Sequence, residues 1–262
     1  MTVPDFKRRK LSGEKIVMLT CYDSSFARLL NESSIDLLLV GDSCAMTMHG
    51  YDSTIQANVE MIAAHVSAVA RGAPGKFIVG DVPFLTVRRG LEHAMESMER
   101  LVKAGAHAVK IEGIRGNEEI VGHVTASGIP VMGHLGLTPQ FVNAFGGMKV
   151  QAKTEDEKAN LLVEARSFEA LGAFSIVLEC VPSDIAAEIT STLKIPVIGI
   201  GAGEAVDGQV LVLQDLLGFN PSFKPKFLRH YLDGAALIGN AFERFAADVR
   251  NGNYPSKEES YG

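Results

Sequence analysis

Four acidic residues stand at or just after the C-terminal ends of short, almost entirely apolar runs. They are Asp42 after LLLVG, Asp81 after FIVG, Glu112 in AVKIE and Glu179 after SIVL. Such runs are typical of buried parallel strands. If these strands close into one barrel, the four carboxyl groups meet at one mouth, where they repel one another unless a cation neutralises them or one serves as a base. The pattern therefore predicts a hard-metal site with a catalytic carboxylate.

The predicted metal ligands are oxygen atoms only. Asp42 and Asp81 follow Val-Gly in the matched contexts VGDS and VGDV, and Glu112 would join them. An oxygen-only set suits Mg²⁺, whereas Zn²⁺ usually takes nitrogen or sulfur. For each aspartate alone, capping of a following helix is an equally good interpretation. The three acids together favour Mg²⁺.

Two further polar residues are expected at the same mouth. Lys110 and Glu112 are two residues apart, so in a strand their side chains share one face. The alternative, a buried ion pair that only stabilises the barrel, is a poor source of stability, and we favour a functional site. His134 closes the run PVMGH and opens a long loop that contains Gly146 and Gly147. We interpret His134 as an anion-binding residue rather than a residue that only starts a helix, and the loop as functional, as in a lid.

The elements that must position these residues alternate between strand-like and helical patterns, which is typical of parallel α/β architecture. We predict strands near 16–20, 35–40, 76–80, 107–112, 130–133, 174–179, 196–199 and 209–213. Helical spacing is predicted over 59–71, 91–104 and 156–171. The connection before the eighth run is too short for a full helix. With 262 residues, near the roughly 250 typical of a (β/α)8 TIM barrel, we expect that fold, as one domain with a helical C-terminal appendage from about Pro225.

Composition excludes several classes of protein. The net charge is −6, and the only basic run, KRRK at 7–10, is expected to be a solvated surface segment, so we expect no nucleic acid partner. No apolar stretch approaches the roughly 20 residues of a membrane span, and the early run IVMLTCY is too short for a secretory signal. The three cysteines lack the spacing of a zinc site or a disulfide framework. We expect a cytoplasmic protein.

Many motifs resemble those of the ketopantoate hydroxymethyltransferase family, in order from Tyr22 to Phe227. They are YDSSFA, VGDS, HGYDST, GDVPF, AVKIEG, GIPVMGHLGLTPQ, FGGMKVQ, LECVP, IPVIGIGAG, DGQVLVLQD and PKF. A match of this length is far more specific than any single motif. Two residues depart from the family pattern: Cys44 stands where Leu is usual, and Ala152 follows Gln151 where Gly is usual.

The resemblance implies a role for each matched residue. The implied metal ligands are Asp42, Asp81 and Glu112, the last acting at least partly through water. The implied substrate contacts are Asp42, Ser43, Asp81, Lys110 and His134, and the implied catalytic base is Glu179.

The resemblance also implies the reaction and the assembly. Family members transfer a hydroxymethyl group from 5,10-methylenetetrahydrofolate to 3-methyl-2-oxobutanoate, giving 2-dehydropantoate in pantothenate synthesis. Their fold is a TIM barrel of the phosphoenolpyruvate/pyruvate group, assembled as a homodecamer. The residues agree with this chemistry: Mg²⁺ would orient the 2-oxoacid and stabilise an enolate, and Glu179 would remove the proton next to the ketone. No aromatic platform or pterin motif identifies the folate pocket.

Two alternatives remain open on the sequence. A metal-dependent 2-oxoacid lyase or mutase on the same barrel would share the metal acids, but the lyase signature KKCGH is absent, and Cys44 or Cys180 would have to act as its acid. A non-catalytic barrel that binds an anionic metabolite would show binding without turnover.

Overall fold

A computed structural model describes residues 1–262 and contains eight parallel strands that close into a barrel in chain order. The strands are β1 Ile16–Thr20, β2 Leu37–Val40, β3 Phe77–Asp81, β4 Ala108–Glu112, β5 Val131–Gly136, β6 Ser175–Glu179, β7 Val197–Ile200 and β8 Gly208–Leu211. Each strand pairs with the next, and β8 pairs with β1. The predicted TIM barrel is confirmed, and all eight predicted strands are present.

Helices connect the strands, except between β7 and β8, where the sequence predicted none. They are α1 Val3–Ser12, α2 Ser24–Asn31, α3 Cys44–Thr47, α4 Val59–Gly72, α5 Leu91–Lys103, α6 Glu118–Ala126, α7 Val142–Phe145, α8 Glu155–Ala170, α9 Ser183–Thr192, α10 Leu213–Leu216 and α11 Gly234–Arg250. Short 3₁₀ helices span Thr54–Gln56, Thr86–Arg88 and Pro139–Phe141. Side-chain caps fix several starts: Asp23 accepts hydrogen bonds from the first turn of α2, and Thr154 forms a capping box with Glu157 at α8.

The barrel interior is packed with apolar side chains below its polar mouth. Phe6 of α1 is fully buried among them, and its ring meets Phe77 and Phe174 edge-on, with centroids 5.3 and 4.9 Å away. Such edge-to-face pairs stabilise a core beyond their area burial. α1 therefore contributes a core residue to the barrel.

The basic run on α1 differs from its predicted role. Arg9 forms an ion pair with Asp36 at 2.7 Å, and Lys10 forms one with Asp207 at 2.7 Å. These four side chains are largely buried. The expectation of a wholly solvated segment was wrong for this half of the run, because α1 packs on the barrel.

β5 extends further than the sequence predicted. The expected strand ended at Gly133, with His134 opening the loop, but β5 continues to Gly136. The extension follows from pairing with β6, where His134 lies opposite Val177 and Gly136 opposite Glu179. His134 is therefore a strand residue inside the barrel, and the long connection begins after Gly136.

The chain separates into two compact units, Met1–Leu211 and Val212–Gly262. The first is the barrel with α1 to α9, and the second contains α10 and α11. The single domain with an appendage from about Pro225 stays a prediction. None of the helices has the length and apolar character that a membrane crossing requires.

Candidate active site

Three carboxylates from neighbouring strands meet at the barrel mouth. Asp81 ends β3, Glu112 ends β4, and Asp42 follows β2 by two residues. Each offers an oxygen atom that lies within 4.8 Å of the other two, and all three residues are buried. The parallel strands produce this arrangement, because their carboxyl ends all point to one mouth.

The aspartates are held close together by the backbone. The backbone N–H of Asp42 donates to Asp81 Oδ2 at 3.0 Å. Burial and the charges of Asp81 and Glu112 raise the pKa of Asp42 well above its ordinary value. Burial also raises the pKa of Asp81, although the Lys110 ammonium opposes this. Without a cation, the site is therefore unfavourable for two ionised aspartates.

Lys110 is the cation that the chain itself supplies. Its Nζ lies 2.9 Å from Asp81 Oδ1 and 3.4 Å from Glu112 Oε1. The pairing follows the register, since Asp81 is opposite Lys110 and both Lys110 and Glu112 face the barrel interior. Burial opposes the charged ammonium, but the surrounding acids raise the pKa of Lys110. For Glu112, burial alone would raise the pKa, but the positive charges of Lys110 and His134 lower it to about 2.

His134 connects the acidic cluster to Glu179. Its Nδ1 lies 3.1 Å from Glu112 Oε1 and 3.2 Å from Lys110 Nζ, and Nε2 lies 3.2 Å from Glu179 Oε2. Nε2 is buried and makes an ion-pair contact with Glu179, but no hydrogen bond. Burial and Lys110 lower the pKa of His134, but Glu112 and Glu179 outweigh them and raise it to about 9. A cationic ring at the mouth is suited to binding an anion.

Glu179 is the most accessible of the acids, with 18% of its side chain exposed. Its carbonyl accepts a hydrogen bond from Leu137 N at 2.8 Å, and the carbonyl of Cys180 accepts one from Gln151 N at 2.9 Å. A Cβ at Gly136, which has a φ of 87°, would collide with the Glu179 carbonyl. Both ends of the long connection are thus attached to the backbone beside Glu179.

The connection after β5 also supplies a residue that sequence reasoning missed. Gln140 is buried, and its side chain donates to Asp42 Oδ2 at 2.9 Å. Its backbone N–H donates to Glu112 Oε2 at 3.1 Å. A polar residue in the loop that follows a site strand was the only available signal.

Ser43, the remaining expected site residue, is next to Asp42 in the same loop. Its Oγ lies 2.8 Å from the hydroxyl of the buried Tyr22. The structure therefore brings Asp42, Asp81, Lys110, Glu112, His134 and Glu179 into one connected group, with Ser43 adjacent in the chain.

The acidic cluster fits a divalent cation. The donors are carboxylate oxygens only, which suits a hard ion. Burial and the neighbouring acids raise the pKa of both aspartates even though the Lys110 ammonium lies beside Asp81, so a further positive charge would stabilise their ionised forms. Asp42, Asp81 and Glu112 are thus able to hold such an ion.

The fold and the site define a class: TIM barrels with an acidic centre at the carboxyl ends of their strands. Among solved structures, the chain resembles phosphonopyruvate hydrolase in complex with oxalate and Mg²⁺, with a TM-score of 0.65, 13% identity, and coverage of 99% of this chain and 93% of the other. It also resembles 2,3-dimethylmalate lyase, a PEP mutase/isocitrate lyase superfamily member, with a TM-score of 0.61, 14% identity, and coverage of 99% and 91%. At this identity the likeness concerns the fold alone.

Sequence comparison is much more specific. The family model for ketopantoate hydroxymethyltransferase matches residues 1–257. A 3-methyl-2-oxobutanoate hydroxymethyltransferase of Bdellovibrio bacteriovorus is 52% identical over 260 residues, covering 99% of each chain. One from Coxiella burnetii is 49% identical over 259 residues, covering 98% of this chain and 97% of the relative. The chain belongs to the ketopantoate hydroxymethyltransferase family.

Proposed function

We propose that this chain is a metal-dependent enzyme that transfers a hydroxymethyl group from 5,10-methylenetetrahydrofolate to 3-methyl-2-oxobutanoate, giving 2-dehydropantoate in pantothenate synthesis. The folate supplies the carbon, and water supplies the hydroxyl oxygen. Family membership supports the reaction. The observation that carries the proposal for the site is the cluster of three buried carboxylates, with Lys110 beside it and Glu179 adjoining it through His134.

We assign the metal to Mg²⁺, held by Asp42, Asp81 and Glu112. When bound, such an ion supplies positive charge for the carboxylate and keto oxygens of a 2-oxoacid. Both oxygens of Glu112 already face protein donors, Oε1 toward His134 and Oε2 toward the Gln140 N–H. This supports an action of Glu112 at least partly through water.

The charged residues around the acids are assigned to the substrate. Lys110 stays protonated because its pKa is raised, so it adds positive charge where the keto oxygen becomes negative. His134 offers to the ketoacid its Nε2, which makes no hydrogen bond within the protein. Ser43, next to Asp42, would bind the substrate through its hydroxyl group.

Glu179 is assigned as the catalytic base. A base must reach the proton on C3, the carbon next to the ketone, within hydrogen-bond distance. Glu179 borders the site, keeps part of its side chain accessible, and contacts His134. Its carboxylate therefore takes the C3 proton, while Lys110 and His134 stabilise the charge that develops on the substrate oxygens.

Product analysis tests the transfer. The purified protein, with Mg²⁺, 3-methyl-2-oxobutanoate and 5,10-methylenetetrahydrofolate, should give 2-dehydropantoate by mass spectrometry. Cleavage of isocitrate-like or phosphonate substrates without this product would favour the lyase alternative. Binding of the ketoacid without any turnover would favour the non-catalytic one.

Assembly and location also belong to the proposal. We propose a homodecamer in the cytoplasm, from the family resemblance. Analytical ultracentrifugation checks the decamer, since the 28.1 kDa chain would sediment as a species ten times that mass.

A further inference from the structure

Gln140 is the one residue of the long connection that donates hydrogen bonds to two of the three clustered carboxylates, Asp42 and Glu112. It lies in the 3₁₀ helix Pro139–Phe141 just after β5 and is 7% exposed. Its side-chain nitrogen donates to Asp42 Oδ2 at 2.9 Å and to the carbonyl of Val82 at 3.0 Å. Its backbone N–H donates to Glu112 Oε2 at 3.1 Å.

The two acceptors fix the orientation of the Gln140 amide. Because Asp42 Oδ2 and the Val82 carbonyl both accept hydrogen bonds, the NH₂ group and not the amide oxygen must face them. Val82 directly follows Asp81, so the amide joins the loop after β2 to the end of β3. A donor on a carboxylate oxygen stabilises its charge and restricts its rotation.

We propose that Gln140 is a positioning residue that holds Asp42 and Glu112 in the arrangement that receives the divalent cation. The Gln140 amide donates to Oδ2 of Asp42, which would leave Oδ1 for the ion. The backbone N–H of Gln140 occupies Oε2 of Glu112. This inference rests on the metal site of the proposed function, and it assigns part of the affinity of that site to the connection after β5.

Metal affinity, measured without substrate or folate, tests this role. The Gln140→Met variant keeps the length of the side chain and loses the donor. Outer partners of metal ligands typically contribute about 10- to 100-fold in affinity, so we expect Gln140→Met to bind Mn²⁺ that much more weakly by calorimetric titration. Gln151→Met is the matched control, because the side chain of Gln151 lies in the same connection but donates to the Lys149 carbonyl. It should bind Mn²⁺ as tightly as the wild type.

A purely structural role would give a different result. In that case, Gln140→Met would lower the melting temperature of the metal-free protein while the folded protein kept its Mn²⁺ affinity, and this would overturn the inference. If Gln140→Met does not fold, Gln140→Asn decides, since its amide is one methylene too short to reach Asp42. Wild-type affinity in Gln140→Asn would also overturn the inference.

The inference and the proposed function fail separately. A wild-type protein that binds Mn²⁺ but makes no 2-dehydropantoate would refute the proposed function. The Mn²⁺ affinity of Gln140→Met would still decide the role of Gln140, because that titration needs no turnover. Active wild type and equally tight binding by Gln140→Met would refute only the positioning role.

Discussion

Replacing Asp42 with Asn should stabilise the metal-free protein. Ligand atoms of Asp42, Asp81 and Glu112 lie within 4.8 Å of one another. At this separation and an effective dielectric constant of about 20, each ionised pair repels by roughly 3 kcal/mol. Asp42→Asn removes two such repulsions and loses one attraction of similar size, that of Lys110, which leaves a net gain on the order of 3 kcal/mol. At about 2–4 °C per kcal/mol for a chain of this size, the melting temperature should rise by roughly 6–12 °C.

The size of this effect depends on pH. The pKa of Asp42 is raised in the folded state by burial and by the neighbouring acids. The folded state therefore loses stability relative to the unfolded chain as the pH rises above the ordinary pKa of an aspartate, about 3.9. The advantage of Asp42→Asn should be small below that value and should increase as the pH rises toward neutrality.

Calorimetry with and without a chelator measures both halves of the argument. With a divalent ion at 100 times its dissociation constant, the wild type should gain about 2.7 kcal/mol, or roughly 5–11 °C, and Asp42→Asn should gain little. Glu96→Gln removes one exposed charge on α5 and serves as the control. A metal-free Asp42→Asn protein that melts below the wild type, with Glu96→Gln unchanged, would refute the electrostatic reasoning.

Three further predictions follow from the same group of residues and the connection beside it. Lys110→Met leaves the acids without their ammonium partner, so the free energy of unfolding of the metal-free protein in urea should fall by about 3–5 kcal/mol, the opposite of the effect of Asp42→Asn. A variant as stable as the wild type would contradict the ion pairing. The pKa of His134 is raised to about 9, above an ordinary value of about 6.5. The stability that the charged ring contributes to the metal-free protein should therefore be complete below pH 6.5 and lost as the pH rises through 9. His134→Gln should flatten this part of the profile of unfolding free energy against pH. Ala152 has a left-handed φ of 55°, which costs a non-glycine residue about 1–2 kcal/mol. Ala152→Gly should therefore raise the melting temperature by roughly 2–8 °C, and a melting temperature below that of the wild type would show that Ala152 is unstrained.

The strand pattern was readable from the sequence because it depends on local order. Apolar runs that end in Gly-Asp or in Glu predicted both the barrel and the mouth where Asp42, Asp81 and Glu112 meet. The two-residue spacing of Lys110 and Glu112 predicted their common face. Parallel strands in a closed barrel convert such spacings directly into proximity.

What the sequence did not predict depends on contacts between distant segments. Phe6 precedes β1 and fills the barrel only because α1 packs against it. Gln140 reaches Asp42, 98 positions away, through the fold of its loop. The extension of β5 beyond His134 depends on pairing with β6. No local pattern encodes these three contacts.

Hydrogen exchange at C3 of 3-methyl-2-oxobutanoate tests the central claim most directly. In deuterated water with a divalent ion and without folate, proton NMR should show the wild type exchanging this proton. Glu179→Gln should exchange it at least about 100-fold more slowly, and a chelator should abolish exchange by the wild type. Full exchange in folded Glu179→Gln, or undiminished exchange after the metal is removed, would contradict the account.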